Sequence, residues 1–443
     1  MEHDRHKPRG IRVPDGRITR LSRLSGMALG VAGNVAVNGG RQWLGGARPG
    51  IDRLLLTPSN VTRITKELAR MRGAAMKMGQ LLSMESGEVL SPELAEILGH
   101  LRNDAHFMPP RQLKEVLIRN WGPQFMKRFA RFDVRPVAAA SIGQVHRAQT
   151  KDGRDVAIKV QYPGVRRSID SDVSNVAMLM RMSGLLPRAL DLGPLLDEAR
   201  RQLHEEADYA REGQMLAEFG DLLADQTHLH VPRLQEDLTT PDILGMSFAP
   251  GIPVDQLAEA DQETRDQVAA WLIDLMLREL FEFGLMQTDP NFANYSYDAE
   301  ENRVVLLDFG ATRRLPETLA GRYRALFEAG MSGETEAALR AMTDIGFIKE
   351  DTAPHHREAI AEMFSIAMGP LRTGGVFDFA GSDLADRLRQ KGMEFAAGRD
   401  FWVIPPADTL FVQRKIGGVF LLAGRLRARV DLDAIIDRIR ATD

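Results

Sequence analysis

Apolar positions recur at helical spacing from Thr57 to about Trp121. Ser59 can cap a run whose apolar or small positions are Val61, Ile64, Leu68, Met71 and Ala75. Ser91-Pro92-Glu93 then reads as an N-cap followed by proline at the first helical position, and Leu94, Ile97, Leu98 and Leu101 predict one buried face. Between Phe129 and Val160 the period shortens. Residues 134–137, 145–148 and 156–160 are short apolar runs separated by a glycine-containing loop and a Lys151-Asp152-Gly153 turn, which predicts an antiparallel meander. Helix resumes from Val165 through Phe219, with interruptions expected near Pro187 and Pro194, and strand character returns at residues 243–248. From about Gln262 the chain reads as mostly helical, apart from a hairpin in which residues 295–297 and 304–307 flank a turn. No repeat with a period of roughly 20 to 50 residues is present, which argues against a solenoid.

Composition narrows the function classes. The chain has 443 residues, with 57 Lys plus Arg against 61 Asp plus Glu, a formal charge of −4 at pH 7. That balance argues against a nucleic-acid binder that relies on excess positive charge. At 44% hydrophobic and 27% charged residues a sizeable core can form, and at roughly 150 residues per domain the length predicts two or three domains or lobes. The absence of cysteine excludes disulfides, thiolate zinc sites and a cysteine nucleophile. His100, His106, His146, His204, His228 and His230 show no zinc-ligand spacing, so no transition metal is assigned.

The run from Met27 to Val37 is broken by Gly30, Gly33 and Asn34 and falls short of the roughly 20 residues a spanning helix needs. The stretch 416–424 is also short, is flanked by Lys415 and Arg425, and reads as a buried helix. No transmembrane helix is expected, and Glu2 and Asp4 argue against a secretory signal. The first fifty residues carry Arg5, Lys7, Arg9, Arg12, Arg17, Arg20, Arg23, Arg41 and Arg48 against Glu2, Asp4 and Asp15. This basic arm suits either contact with an anionic membrane surface or a solvated flexible tail.

Three separated motifs carry chemistry. Val156-Ala157-Ile158-Lys159 on a predicted strand matches the way kinases present a lysine to the α and β phosphates of ATP. Far downstream, Asp289-Pro290-Asn291-Phe292-Ala293-Asn294 places an Asp and an Asn five residues apart on a loop after an amphipathic helix. This is the catalytic-loop spacing, in which Asp orients or deprotonates the attacking hydroxyl and Asn helps hold a metal. Fourteen residues after Asn294 stands Asp308-Phe309-Gly310, whose carboxylate can bridge Mg²⁺ to phosphates. Lys159 needs a partner carboxylate, and of the acids in residues 205–212 Glu212 is chosen, leaving Glu206 and Asp208 for a second polar cluster.

Where a glycine-rich loop is expected, residues 138–145 run Ala-Ala-Ala-Ser-Ile-Gly-Gln-Val with a single glycine. Alanine disfavours positive φ and limits how closely backbone can wrap phosphate, so phosphate engagement should differ from that of a protein kinase. Only five residues separate Gly310 from Pro316-Glu317, which leaves no room for a long activation segment or a peptide-substrate platform.

Taken together these residues resemble the UbiB or AarF-domain family of atypical, protein-kinase-like proteins of coenzyme Q (ubiquinone) biosynthesis, in its mitochondrial-type branch. The likeness runs from about Arg20 to the C-terminus and rests on Lys77-Met78-Gly79-Gln80, the alanine-rich loop, Glu206-Ala207-Asp208, Gln287-Thr288-Asp289-Pro290-Asn291 and Leu307-Asp308-Phe309-Gly310-Ala311-Thr312-Arg313. It implies an α+β, two-lobed kinase-like fold with an N-terminal helical extension over the active site. The expected boundaries are 1–56 for the arm, 57–130 for the extension, 131–250 for the N-lobe with a helical insert, and 251–443 for the C-lobe. The resemblance further implies ATP and Mg²⁺ as cofactors. Lys77 and Gln80 would face Glu206 and Asp208 across the nucleotide site, Lys159 would pair with Glu212, Asp289 would be the catalytic acid or base, and Asn294 with Asp308 would hold Mg²⁺. Ala138, Ala139, Ala140, Ser141 and Gln144 would meet the nucleotide, and the backbone of Ser247, Phe248 and Ala249 would bind adenine. Expected partners are nucleotide, a membrane surface or lipid-soluble phenolic and quinone precursors, and other ubiquinone-biosynthesis proteins, with no nucleic acid. The expected location is cytoplasmic, with peripheral contact to the inner membrane. An ATPase or phosphotransferase, a nucleotide-gated scaffold and a small-molecule kinase all remain compatible with the motifs.

Overall fold

The computed structural model describes Ala74, Lys77 and residues 107–140, 142–182, 193–397 and 405–441. The expectations for the basic arm, for residues 57–106 of the helical extension other than Ala74 and Lys77, and for Gln80, Ser141 and Pro187 lie outside the described residues. By its internal contacts the chain divides into two units, Met1–Gly213 with Leu234–Phe248, and Gln214–Arg233 with Ala249–Asp443.

The first unit is built on an antiparallel sheet. β1 (Phe129–Phe132), β3 (Gly143–Thr150), β4 (Asp155–Gln161) and β6 (Ile243–Ser247) lie in that order, and the short β2 (Ala138–Ala139) pairs with β3. β3 and β4 form a hairpin in which Val145 faces Lys159. Its turn closes with Thr150 N–H donating to the Arg154 carbonyl at 2.9 Å, and Gly153 takes φ 91°, a conformation that glycine enters at least cost.

Side chains alternate along β4. Val156, Ile158 and Val160 point into a core with Ala148, Phe129 and helix α1 (Pro110–Trp121), which contributes Leu113, Val116 and Leu117 at i, i+3 and i+4. Burying each such side chain is worth about 1.5–3 kcal/mol. Lys159, between Ile158 and Val160, is therefore delivered to the other face.

The strand expected at residues 134–137 lies instead at 129–132. Val134 and Val137 are exposed, Pro136 has no N–H for a ladder, and Phe129 and Phe132 bring the aromatic surface that the core takes up. Helices α2 (Val165–Met182) and α3 (Gly193–Glu206) pack on each other, and Pro194 sits in the first turn of α3, where its missing N–H costs nothing. The continuous helix expected up to Phe219 is broken after Glu206, and α4 (Tyr209–Leu222) restarts with the Asp208 carboxylate accepting the Arg211 N–H at 3.2 Å.

In the second unit β5 (Leu229–His230), β10 (Arg303–Leu306), β9 (Tyr295–Asp298) and β7 (Ile252–Pro253) form one sheet, with β5 parallel to β10. The expected hairpin is β9–β10, with Val304 opposite Tyr297. Two short pairs were not legible in the sequence: β8 (Leu285–Gln287) with β11 (Thr312–Arg314), and β12 (Val376–Asp378) with β13 (Arg429–Asp431). At three residues each, they are too short to show a period.

The helices are α5 (Gln262–Arg278), α6 (Glu317–Ser332), α7 (Thr335–Ile345), α8 (Pro354–Thr373), α9 (Leu384–Ala397), α10 (Ala407–Arg425) and α11 (Leu432–Ala441). Tyr323 and Leu326 of α6, Met342 and Ile345 of α7 and Val412 of α10 close on Leu280 and Met286 to form the core. After α5 the chain makes a π-helical turn, Glu279–Phe283, ending at Gly284 in the left-handed region (φ 57°). The stretch 416–424 is helical as expected but only half buried: Ile416 and Leu421 are exposed, while Lys415, read as a flanking charge, is 1% exposed.

Candidate active site

In the first unit Lys159 Nζ lies 2.7 Å from Glu212 Oε1, with side-chain exposures of 7% and 1%. The Lys159 ammonium also stands over the Tyr209 ring, 5.2 Å from its centroid. β4 delivers the lysine on the face opposite its apolar core, and the first turn of α4 delivers the carboxylate. Next along β4, on the same face, Gln161 donates its side-chain N–H to the Ala207 carbonyl at 3.0 Å, which fixes the α3–α4 break.

Lys77 is 3% exposed and forms an ion pair with Glu206 at the end of α3. Asp208 stands two residues further on as the cap of α4, so it serves the helix that carries Glu212. Gln80 and Ser141 lie outside the described residues.

On either side of the alanine loop Ala138 and Ala139 pair with Val145 and Gln144, and Ala140 N–H donates to the Gly143 carbonyl at 2.9 Å. A Cβ on Gly143 would stand 2.7 Å from Tyr209 Oη and closer still to the Val160 carbonyl oxygen, which is why the loop keeps its one glycine there. Gln144 departs from expectation. It shares a face with His146 and alternates with Val145, the partner of Lys159, so its side chain points away from the lysine. Fully buried, it accepts the Met108 N–H at 2.8 Å and donates to His146 Nε2 at 2.8 Å, while His146 Nδ1–H donates to the Asp133 carbonyl. A side-chain role at the nucleotide is therefore corrected to a core role.

Ser247 ends β6. The Phe248 N–H, expected as an adenine donor, is committed to the Asp155 carbonyl at 2.9 Å, and the Phe248 ring lies under the Arg147 guanidinium at 4.0 Å. Of the Ser247–Ala249 backbone expected at adenine, this one N–H is therefore taken. Ala249 begins the second stretch of the second unit.

In the second unit the catalytic-loop residues meet. Asn294 donates its amide to the Asp289 carbonyl at 3.1 Å and to Asp289 Oδ2 at 3.3 Å. Asn291 caps the short helical turn that brings Asn294 round, accepting the Ala293 N–H at 3.2 Å. Leu307 N–H donates to the Asn294 carbonyl at 2.9 Å, which places Asp308 beside the same turn, and Asp308 Oδ1 accepts the Gly310 N–H at 3.0 Å. Thr288 stitches the two segments together through its hydroxyl and N–H, both to the Ala311 carbonyl at 2.7 and 3.2 Å. Phe309 is buried against Phe219 with ring centroids 5.1 Å apart.

The donor set fits Mg²⁺. Asn294 spends its amide N–H on Asp289, which leaves an amide oxygen to accept, and Asp308 adds a carboxylate; both are hard oxygen ligands of the kind Mg²⁺ takes along with phosphate and water. Among the described residues no group of three His, Cys, Asp or Glu gathers.

Sequence reasoning missed the residues behind the loop. On α10, Arg414 donates to Asp289 Oδ1 at 2.7 Å, and Lys415 reaches Glu279 Oε2 at 2.8 Å, the Gln287 carbonyl at 2.9 Å and Tyr295 Oη at 3.1 Å. A Cβ on Gly418 would overlap the Pro290 ring, so the helix can close on the loop only with glycine at that position. The one signal in the sequence was an adjacent Arg-Lys pair inside an apolar helical run.

Comparison with known proteins gives the family. Residues 100–342, more than half of the chain, match the ABC1 atypical kinase-like domain. The chain is similar to the rat (Rattus norvegicus) protein named atypical kinase COQ8B, mitochondrial, at 38% identity over 434 residues, covering 96% of this chain and 80% of the relative. It is also similar to the Saccharomyces cerevisiae atypical kinase COQ8, mitochondrial, at 37% identity, covering 97% of this chain and 86% of the relative. Among solved structures, the Rv3197–erythromycin complex from Mycobacterium tuberculosis shares the fold, with a TM-score of 0.59 at 24% identity over 84% of this chain and 93% of that one. The motif order, the α+β architecture and these relatives agree: this chain belongs to the ABC1 family of atypical kinase-like proteins.

Proposed function

We propose that this protein is a Mg-ATP-dependent ATPase or phosphotransferase of atypical kinase type that supports coenzyme Q biosynthesis at a membrane surface. The observation that carries the reading is the buried Lys159–Glu212 pair at 2.7 Å. Burying two charges costs more than a well-packed apolar pair of the same volume, so retaining them points to a use for the ammonium. That use is holding the α and β phosphates, with Glu212 fixing the rotamer of Lys159.

Asn294 and Asp308 would hold Mg²⁺, which when bound neutralises charge developing on the transferred phosphoryl group. Asp289 orients the attacking hydroxyl or water and takes its proton at a carboxylate oxygen, while Asn294 and Arg414 keep the carboxylate in one rotamer. The backbone of Ala138, Ala139 and Ala140 remains the candidate cover for the phosphates, with Ser247 and Ala249 beside the adenine. Lys77, Glu206 and Asp208 stand in for the peptide platform that the short segment after Gly310 cannot supply.

The relatives' names place those proteins in mitochondria. Among the described residues no helix is long and apolar enough to cross a membrane, which suits peripheral contact with the surface where lipid-soluble phenolic or quinone precursors reside.

The nucleotide-gated scaffold is favoured by one observation: both Asp289 carboxylate oxygens are already engaged, Oδ1 by Arg414 and Oδ2 by Asn294. The test is phosphate release from Mg-ATP, with and without anionic liposomes and a phenolic precursor analogue, in wild type and Asp308→Asn. Turnover that rises with lipid or phenol and vanishes in the variant is the expected result. Tight nucleotide binding without turnover above the variant would replace the enzyme with the scaffold.

A further inference from the structure

Glu279 and Lys415 are each 1% exposed and belong to no motif that identified the site. Glu279 opens the π-helical turn that follows α5, a local irregularity that recurs at functional sites. Its two oxygens do different things: Oε2 takes the Lys415 ammonium, and Oε1 accepts the N–H of Gln287 at 3.3 Å. Lys415 holds the other side of the same residue, donating to the Gln287 carbonyl at 2.9 Å, and its third partner is Tyr295 Oη at 3.1 Å. Lys415 also reaches Gln287 Oε1 at 3.4 Å, so its hydrogen bonds go to Gln287 and Tyr295, while its contact with Glu279 is an ion pair.

Gln287 is thus held at both its N–H and its carbonyl, and its own side chain donates to the Asp289 carbonyl at 2.9 Å. The chain of contacts runs Glu279, Lys415, Gln287, Asp289. A buried ion pair is a poor way to obtain stability, because an apolar pair of similar volume does as well or better. What an apolar pair cannot do is grip the polar atoms of a loop.

We propose that Lys415, locked by Glu279, is a positioning residue for Asp289: it fixes the Gln287 peptide and through it the attitude of the catalytic carboxylate. This rests on Asp289 being the catalytic residue. Helix α10 therefore sets turnover without touching the nucleotide.

The test compares wild type, the double variant Lys415→Met with Glu279→Met, the isosteric Tyr295→Phe, and Asp289→Asn. The double variant removes both buried charges together, leaves neither unpaired, and should have a higher Tm than Lys415→Met or Glu279→Met alone. Its kcat for phosphate release should nevertheless fall about 10- to 100-fold, the usual effect of losing a partner that orients a reacting group, with KM for Mg-ATP within about threefold. Tyr295→Phe should lower kcat in the same direction. A purely structural role would leave kcat at the wild-type value in a folded variant, so wild-type kcat in the folded double variant or in folded Tyr295→Phe overturns the proposal. If Asp289→Asn abolishes turnover while the double variant keeps it, only the positioning role falls. If Asp289→Asn turns over like wild type, or wild type shows no turnover, the catalytic reading falls and the positioning role falls with it.

Discussion

Two buried titratable residues respond to acid in opposite ways. Burial pushes the Glu279 carboxyl above its ordinary value near 4.5, with Lys415 opposing the rise. Burial alone would lower the Lys415 ammonium, but Glu279 and Tyr295 more than offset that and leave it raised. Because the folded-state value of Glu279 is raised, the stability it contributes is greatest below its unfolded pKa and declines as pH rises. Acidification should therefore cost turnover before it costs folding through this group, since protonated Glu279 no longer holds Lys415 on the loop. The expected profile of kcat against pH has an acid limb above the ordinary carboxylate range, and Glu279→Gln should remove that limb. A limb that survives in Glu279→Gln assigns it elsewhere.

His146 has the reverse sign. Burial lowers its pKa from 6.5, outweighing the Asp133 carbonyl that accepts from Nδ1, and Gln144 already donates to Nε2. Its stabilising contribution is present above the unfolded value and is lost as pH falls below it. Thermal unfolding of wild type should thus show Tm dropping as pH falls below 6.5, with a flatter dependence in His146→Gln.

At the scale of elements, the sequence showed where helices and strands carry chemistry better than where they stop. The hairpin β3–β4 was legible because alternation and the Lys-Asp-Gly turn agree, and Lys159 was legible on it for the same reason. The break between α3 and α4 was not, because Ala207-Asp208 has no proline or glycine and only the capping by Asp208 reveals it. Asp208→Ala should cost about 1 kcal/mol in urea unfolding while Asp208→Ser retains most of the stability, the ordinary worth of an N-cap. Equal loss in both variants would show that the carboxylate serves something other than the cap. On α10, Gly418→Ala forces the helix off Pro290 and should lower kcat while leaving nucleotide affinity near wild type, since Pro290 follows Asp289 directly. Unchanged kcat would mean that the loop yields without cost.

For the whole molecule, the residues that carry chemistry fall in both units, Lys159 with Glu212 in one and Asp289, Asn294 and Asp308 in the other. Mg-ATP at about 100 times its Kd should add about 2.7 kcal/mol to native stability. The magnesium-dependent part of that gain should disappear in Asp308→Asn. A calorimetric shift that persists undiminished in the variant would place the metal elsewhere.

Residue order and spacing by themselves determined the kinase-like class, the Lys159–Glu212 pairing and the loop with Asp289, Asn294 and Asp308. The strand that presents Lys159 and the loop depend on short-range pattern, period two along a strand and five residues along a loop, whereas Glu212 came from the order of the motifs, as one of several acids in residues 205–212. Tertiary structure alone decided the rest. Nothing near residue 287 announces that Glu279, eight residues before it, and Lys415, 128 residues after it, grip the same peptide. Gln144 looked like a nucleotide contact until strand alternation turned its side chain to the core, and the Phe248 N–H was spent on the sheet. Buried polar groups take whichever partner the fold brings within hydrogen-bond reach, and that choice is made across the chain, where local pattern carries no information.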